Sequence, residues 1–154
     1  CLLALDEVRR RRAIGKVLDL GTGSGVLAIA AMKAGAQSAI GTDIDFDSVR
    51  VANENAEKNH VSGFTALHIT GANTPRIRQG GPYNTVFANI LMKPLIGLAP
   101  TIAPLTAPGG TIILSGLLHH QAGPVRNAFA SRGLSFQHRI KQDGWSTLVF
   151  RKPG

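Results

Sequence analysis

The sequence contains very little cysteine and few aromatic residues. Its 154 residues include one cysteine, Cys1, and 5% aromatic residues. A single cysteine excludes an internal disulfide and any zinc site built from several cysteines, and it fits a reducing compartment. No apolar run reaches the roughly 18–20 residues of a transmembrane helix, and the chain does not open on a charged-then-apolar signal segment. The sequence therefore predicts neither a membrane span nor a secretory signal.

Acidic residues are also scarce, while basic ones are not. Nine Asp and Glu stand against 17 Lys and Arg, which gives a net charge of +8. The hydrophobic share of 44% is ordinary for a globular core, and 17% charged residues is too few for a disordered chain. The length suits one domain of roughly 100–200 residues. Because the chain begins without Met and inside a helical pattern, we interpret it as a fragment of a longer protein.

Helical and strand patterns alternate along the chain. The predicted helices are 2–12, 24–33, 47–59, 91–105 and 121–132, and the predicted strands are 16–20, 38–42, 65–69, 84–90, 111–115, 134–140 and 146–151. Residues 70–83 are predicted as a loop, 108–110 as a turn, and Asp47 as the cap of the third helix. This alternation predicts an α/β fold with a doubly wound, mostly parallel seven-stranded sheet that ends in an antiparallel hairpin.

A glycine-rich loop follows the first predicted strand. Gly21 and Gly23 permit a tight turn and leave room for a ligand, and the next helix directs free N–H groups into the same space. Asp43 ends the second strand 22 residues after Gly21, where a carboxylate can take both hydroxyls of an adenosine ribose. The combination predicts a nucleoside cofactor; the alternative is a structural turn with a solvated aspartate.

The details of the loop favour one cofactor over another. A nicotinamide-binding loop has Gly or Ala at its third key position, for close helix packing, but this chain has Val26. Asp19 lies two residues before the first glycine, and the resulting Asp-x-Gly-x-Gly-x-Gly pattern resembles motif I of class I S-adenosylmethionine methyltransferases. We expect Asp19 to order the loop through backbone N–H groups more than to touch a ligand. A nicotinamide-binding domain stays open as an alternative.

Asn89 lies at the end of the fourth predicted strand, next to the first strand in this architecture. Its amide can position a methyl acceptor there, or it can cap the following helix. The segment Asn89-Ile90-Leu91-Met92-Lys93-Pro94-Leu95 does not by itself decide between these two roles.

Taken together, the chain resembles the PrmA-type methyltransferases that modify large-subunit ribosomal protein 11. The matching stretches, in the family's order, are VLDLGTGSGVLAIAAMKAGA, IGTDID, NENAEKN, ANILMKPLIGLAP and PGGTIILSGLL, followed by Gln121, Trp145 and Arg151-Lys152. Thr22 replaces a common cysteine, and Met92 replaces a common alanine. The family also has an N-terminal substrate-recognition domain and a threonine-containing cofactor segment, which this sequence does not include.

The resemblance implies a cytoplasmic, S-adenosylmethionine-dependent enzyme that methylates lysine side chains and an N-terminal α-amine of that ribosomal protein. The cofactor-binding residues that it implies are Asp19, Gly21, Thr22, Gly23, Asp43, Ile44 and Asn89. Asn89 is also the predicted catalytic residue, because it would position the amine, and no metal is expected. Residues 1–154 would then form one cofactor-binding domain, and substrate recognition would need the missing N-terminal domain.

Other functions stay open at this stage. An RNA or DNA base methyltransferase on the same fold is favoured by the charge of +8, although Ile90-Leu91-Met92 lacks the aromatic residue that stacks on a flipped base. A third possibility is a cofactor-binding fragment without activity. The block Arg9–Arg12 is interpreted as a solvated face or a surface toward a missing domain rather than an RNA site. His119-His120 is not expected to bind metal, and Trp145 is predicted to lie in the core.

Overall fold

The computed structural model describes all residues, 1–154. Six α-helices and seven strands alternate along the chain. The helices are α1 (Leu2–Arg11), α2 (Val26–Lys33), α3 (Phe46–Lys58), α4 (Pro75–Gly80), α5 (Met92–Leu105) and α6 (Ala122–Ala130). The strands are β1 (Lys16–Leu20), β2 (Ser38–Asp43), β3 (Phe64–His68), β4 (Tyr83–Asn89), β5 (Thr106–Leu118), β6 (Ser135–Gln142) and β7 (Trp145–Arg151), with a 3-10 turn at His119–Gln121.

The seven strands form one sheet in the order β3-β2-β1-β4-β5-β7-β6. The first five are parallel, and β7 runs antiparallel to both β5 and β6. The chain leaves β1 toward β2 and β3 and then returns to β4 on the other side of β1. The loops that follow β1 and β4 therefore flank a crevice at the carboxyl edge, where doubly wound sheets bind ligands. This confirms the predicted fold class.

Each face of the sheet has its own hydrophobic core, because neighbouring residues of a strand point to opposite faces. Leu18 and Val86 belong to the core beneath α5 and α6, whereas Val17 and Phe87 belong to the core beneath α1, α2 and α3. All four are fully buried. Apolar residues in an unbroken run are what a strand covered on both faces needs. None of the helices is sufficiently long and apolar to cross a lipid bilayer.

The predicted loop 70–83 contains a short helix, α4. Thr74 caps it by accepting a hydrogen bond from the Ile77 N–H at 3.4 Å, and Pro75 occupies its first turn. Ile77 is fully buried, and its carbonyl accepts a hydrogen bond from the Tyr83 hydroxyl at 2.7 Å. The segment is too short for a helical period to be detected in the sequence. The sequence offers only a capping residue, Thr74, and one apolar residue, Ile77, as signals of a helix.

Two further local predictions are wrong. Strand β5 begins at Thr106 rather than at 111, and residues 108–110 lie within it, where its pairing with β4 is irregular. Asp45, not Asp47, caps α3: its carboxylate accepts hydrogen bonds from the N–H groups of Asp47 and Ser48 at 3.3 and 3.2 Å. The helix begins at Phe46, so its cap is Asp45, two residues before the predicted cap.

The two edges of the sheet differ in character. At the β3 edge, the side-chain amide of Asn53 donates to the Ala66 carbonyl at 3.2 Å and accepts from the Ala66 N–H at 2.9 Å. The side chain thus takes the place of a neighbouring strand. At the other edge, β6 carries the basic residues His138, Arg139 and Lys141. The predicted hairpin turn to β7 is present, with Asp143 and Gly144 both at positive φ.

Candidate active site

The glycine loop turns sharply where β1 ends. Gly21 and Gly23 adopt φ values of +70° and +56°, which L-residues rarely adopt. A Cβ on Gly21 would also collide with the Ile90 side chain. The Thr22 N–H donates to the Thr42 carbonyl at 2.8 Å and so ties the loop to the end of β2. The loop backbone can therefore approach a ligand closely from one side.

Asp43 is held by the backbone on both of its carboxylate oxygens. Oδ2 accepts a hydrogen bond from the Gly23 N–H at 2.9 Å, and Oδ1 accepts one from the Asp45 N–H at 3.0 Å. A carboxylate offers about four acceptor positions, so each oxygen keeps capacity for another donor. The side chain is half-buried. It is therefore a fixed acceptor at the loop, with room for two hydroxyl groups.

Asp19 lies under the loop, away from solvent. Its Oδ2 accepts a hydrogen bond from the Thr22 hydroxyl at 2.8 Å, and its Oδ1 is buried without a partner. Burial raises the pKa of Asp19 to about 7, and the hydrogen bond from Thr22 only partly opposes this rise. The sequence predicted that Asp19 orders the loop through backbone N–H groups. Within the loop, the hydrogen bond to Asp19 comes from the Thr22 side-chain hydroxyl, and a backbone N–H, that of Ala28 in α2, also lowers the pKa of the carboxyl.

Asn89 is exposed at the end of β4, and its side chain makes no hydrogen bond within the chain. It does not cap α5, because Leu91 occupies the cap position and no side chain bonds there. Gly116, in the bulge of β5, faces it. A Cβ on Gly116 would lie 2.9 Å from the Ile90 carbonyl oxygen and 3.0 Å from Asn89 Oδ1. Glycine at this position gives the amide its space.

A cavity of about 640 Å³ opens between the loops after β1, β2, β3 and β4. Its lining residues are Leu20, Gly21, Thr42, Asp43, Ile44, Ile69, Thr70, Gly71, Asn89, Ile90, Leu91, Pro94, Gly97 and Leu98. Ile44 and Leu91 remain 70% and 75% exposed, unusually high for large apolar side chains. An open cavity with apolar walls and two polar side chains suits a ligand that combines an aromatic ring with polar groups.

The structure brings four of the predicted site residues to the cavity and leaves three outside it. Gly21, Asp43, Ile44 and Asn89 line it. Gly23 does not line the cavity, but its N–H donates a hydrogen bond to Asp43, which does. The side chains of Asp19 and Thr22 are hydrogen-bonded to each other beneath the loop. These two hold the loop in shape, since Thr22 is buried and its hydroxyl is already used.

Sequence reasoning missed several residues around the cavity. Gly116 had a detectable signal, since an isolated glycine inside a strand pattern indicates a bulge or a close approach. Ile69, Thr70 and Gly71 follow β3 and reach the same edge as every other parallel strand end. Their signal in the sequence is weak, because the strand pattern that precedes them is itself weak.

Trp145 and His119, two other residues considered in the sequence, lie near the start of β7 and after β5. Trp145 is 52% exposed at the start of β7, so its prediction as a core residue is wrong. His119 Nδ1 lies 2.9 Å from the hydroxyl of the buried Ser146, which also accepts hydrogen bonds from the Arg139 guanidinium. The histidine is thus part of a network that joins the β5–α6 connection to the hairpin.

With this geometry established, comparison with known proteins decides the family. The sequence profile of the family described as "Ribosomal protein L11 methyltransferase (PrmA)" matches residues 1–153. The chain belongs to this family.

Relatives of this family member are named ribosomal protein L11 methyltransferase. The one from Caulobacter sp. (strain K31) is 46% identical over 153 residues, which cover 99% of this chain and 53% of the relative. The one from Bradyrhizobium diazoefficiens is 47% identical and covers 100% of this chain and 52% of the relative. The chain thus spans about half the length of the curated relatives it matches.

Solved structures agree with the assignment. A ribosomal protein L11 methylase from Lactobacillus delbrueckii subsp. bulgaricus superimposes with a TM-score of 0.88 at 28% identity, covering 99% of this chain and 77% of that one. The N-methyltransferase NodS from Bradyrhizobium japonicum WM9, solved with S-adenosyl-L-homocysteine, gives a TM-score of 0.79 at 13% identity, with coverage of 99% and 84%. At that identity the second likeness supports the fold alone.

Proposed function

We propose that this chain is the S-adenosylmethionine-binding, catalytic part of an enzyme that methylates amino groups of ribosomal protein L11. One observation carries the proposal: Asp43 and Asn89, from the ends of β2 and β4, border the same cavity on either side of the glycine loop. Family membership and the names of the relatives support the choice of substrate.

The residues of the cavity fit the proposed cofactor. Asp43 keeps acceptor capacity on both oxygens, which suits the two hydroxyls of a ribose. Ile44, Ile69 and Leu98 provide apolar surface for a purine ring. Gly21 leaves the backbone open to the amino-acid end of the molecule. When bound, S-adenosylmethionine supplies a methyl group on a positively charged sulfur.

Asn89 is the proposed catalytic residue. A lysine ammonium has no lone pair, and with a pKa of about 10.4 roughly one lysine in a thousand is neutral at pH 7. The unpaired carbonyl oxygen of Asn89 can accept an N–H of the neutral amine and direct its lone pair toward the cavity. An apolar wall such as Leu91 lowers the amine pKa by desolvation. Orientation and desolvation thus supply the catalysis, with no general base.

We propose that lysine side chains and the N-terminal α-amine of L11 accept the methyl groups. We further propose that residues 1–154 form a single catalytic domain, that L11 recognition needs a further domain of the whole protein, and that the enzyme acts in the cytoplasm. The description of the family supports the choice of L11 as the substrate.

The test uses the whole protein with radiolabelled S-adenosylmethionine and free L11. Asn89→Ala should lower the rate of methyl transfer by roughly a hundredfold, while affinity for S-adenosylhomocysteine changes only a few-fold, because the amide acts on the acceptor. Free ribosomal RNA should accept no methyl groups. Methyl transfer to RNA but not to L11 would favour the base-methyltransferase alternative, and an unchanged rate in Asn89→Ala would remove Asn89 from catalysis.

A further inference from the structure

A second, smaller pocket lies toward the amino-terminal half of β5, whereas the proposed active site lies at the carboxyl ends of the parallel strands. It encloses about 160 Å³ between α1, β5, β6 and β7. Thr111, Gln137 and His138 line it, together with Arg11, Arg12 and Arg151. Asn89 pairs with Ser115, four residues beyond Thr111 on β5, so the pocket and the cavity are separated along the strands. A ligand in this pocket would not be the methyl acceptor.

The guanidinium groups of Arg12 and Arg151, two residues that line the pocket, both lie near Gly109. Arg12 Nη1 donates a hydrogen bond to the Gly109 carbonyl at 3.2 Å. A Cβ placed on Gly109 would lie 3.8 Å from Arg151 Nη2. Gly109 is itself fixed, because its N–H donates to the Lys152 carbonyl at 2.9 Å. The two arginines therefore approach each other around a rigid backbone position.

No carboxylate neutralises these arginines. Asp6 pairs with Arg9 and Arg10, each at 2.7 Å. Glu7, the one carboxylate of the pocket, lies 2.8 Å from His138 Nε2. Arg11, Arg12 and Arg151 have no ion-pair partner. Burial is the main cause that lowers the pKa of Arg12, and the charges of Arg151 and Arg11 lower it further because these two guanidinium groups lie nearby.

We propose that this pocket binds a phosphate group in the backbone of a nucleic acid. Guanidinium groups are forked donors that match phosphate oxygens, and Thr111 and Gln137 add uncharged donors at the same place. Beyond the pocket, Arg9 and Arg10 share the single carboxylate of Asp6, so one positive charge stays uncompensated there and favours a chain of phosphates over a single one. The sequence favoured a solvated face, or a surface toward a missing domain, for Arg9–Arg12. Only the structure shows that Arg151, on a distant part of the chain, lies beside Arg12.

The experiment measures binding of the 154-residue chain to a fluorescein-labelled oligouridylate of about 20 nucleotides by anisotropy. The salt concentration is varied from about 50 to 200 mM. The double variant Arg12→Gln/Arg151→Gln should bind roughly tenfold more weakly and reduce the slope of log Kd against log salt by about 1.4, since each lost phosphate contact removes about 0.7 for a single strand. Arg151→Gln alone, at an exposed position, should give about half of that slope change.

The matched control is Arg76→Gln/Arg132→Gln, which removes two exposed arginines outside the pocket. It should lose little affinity, and all variants should bind S-adenosylhomocysteine like the unmodified chain. An equal loss in both double variants would reduce the binding to general attraction by net charge and overturn the proposal. So would equal competition by inorganic phosphate, equally tight binding of polyglutamate, or no binding of the oligonucleotide at the lowest salt.

Discussion

Asp43 presents two preset acceptors to the proposed ribose, because its carboxylate is oriented by Gly23 and Asp45 before any ligand arrives. Asp43→Asn keeps the shape but replaces one acceptor by a donor and removes the charge. We expect affinity for S-adenosylhomocysteine, measured by calorimetry, to fall roughly ten- to hundredfold. Asp47→Asn is the control, since Asp47 is exposed and outside the cavity. Equal affinity in both variants would contradict the role of Asp43.

The raised pKa of Asp19 predicts how the free energy of unfolding depends on pH. Its pKa is about 7 in the folded chain and 3.8 in an unfolded one, so the folded state holds the proton between these values. The free energy of unfolding therefore falls as the pH rises from 3.8 to about 7, and the loss is complete above that window. Asp19→Asn copies the protonated form and should lack this component.

The measurement is urea unfolding of both proteins across that window. The stability of the unmodified chain relative to Asp19→Asn should decrease with rising pH and level off at either end. Other carboxylates titrate alike in the two proteins and cancel in the difference. A difference that does not change with pH would show that Asp19 is ionised throughout.

At the scale of elements, the cap of α3 is testable because two aspartates compete for it in the sequence. Asp45→Ala removes the acceptor for two N–H groups and the Ser48 hydroxyl, and Tm should fall by roughly 2–4 °C. Asp47→Ala should change Tm far less. The Ser48 hydroxyl lowers the pKa of Asp45, so the effect should be present above pH 3.8 and fade as the pH falls through the lowered pKa. The opposite ranking of the two variants would restore Asp47 as the cap.

A second prediction about a single element concerns Gly116, in the bulge of β5. Gly116→Ala forces a Cβ against Asn89 Oδ1 and the Ile90 carbonyl, in a backbone conformation with φ of +79°. Methyl transfer by the whole protein should drop at least tenfold, because a displaced amide misorients the acceptor. Gly123→Ala, in α6 with open space around it, should leave the rate unchanged. Normal activity in Gly116→Ala would show that the amide tolerates displacement.

Elements with a full pattern could be predicted from the sequence, and those defined by tertiary contacts could not. The run from β1 through the glycine loop to Asp43 has apolar strands, turn glycines and a terminal acid in the expected spacing, and the structure places it accordingly. In contrast, α4 depends on the burial of Ile77 under Tyr83, and the early start of β5 depends on pairing of Thr106 with Tyr83. Neither contact leaves a periodic mark in the sequence.

At the scale of the whole molecule, the sheet order explains which site residues were predictable. Parallel strands end at one edge, so Gly21, Asp43 and Asn89 were expected to converge, and they line one cavity. Whether a side chain near that edge points up into the cavity or down beneath the loop is set by packing. Asp19 and Thr22 point down, where both side chains are buried and the Thr22 hydroxyl donates a hydrogen bond to Asp19 Oδ2.

The two outer strands of the sheet, β3 and β6, bear on whether molecules of this protein aggregate at high concentration. An open strand edge is a template onto which another chain can add and begin aggregation. Asn53 already occupies both backbone groups of Ala66 on one border, and the positive charges of Arg139 and Lys141 on β6 repel a like-charged strand at the other. We therefore expect both ends of the sheet to disfavour growth of intermolecular β-structure, one through a side chain that already pairs with the strand and the other through charge.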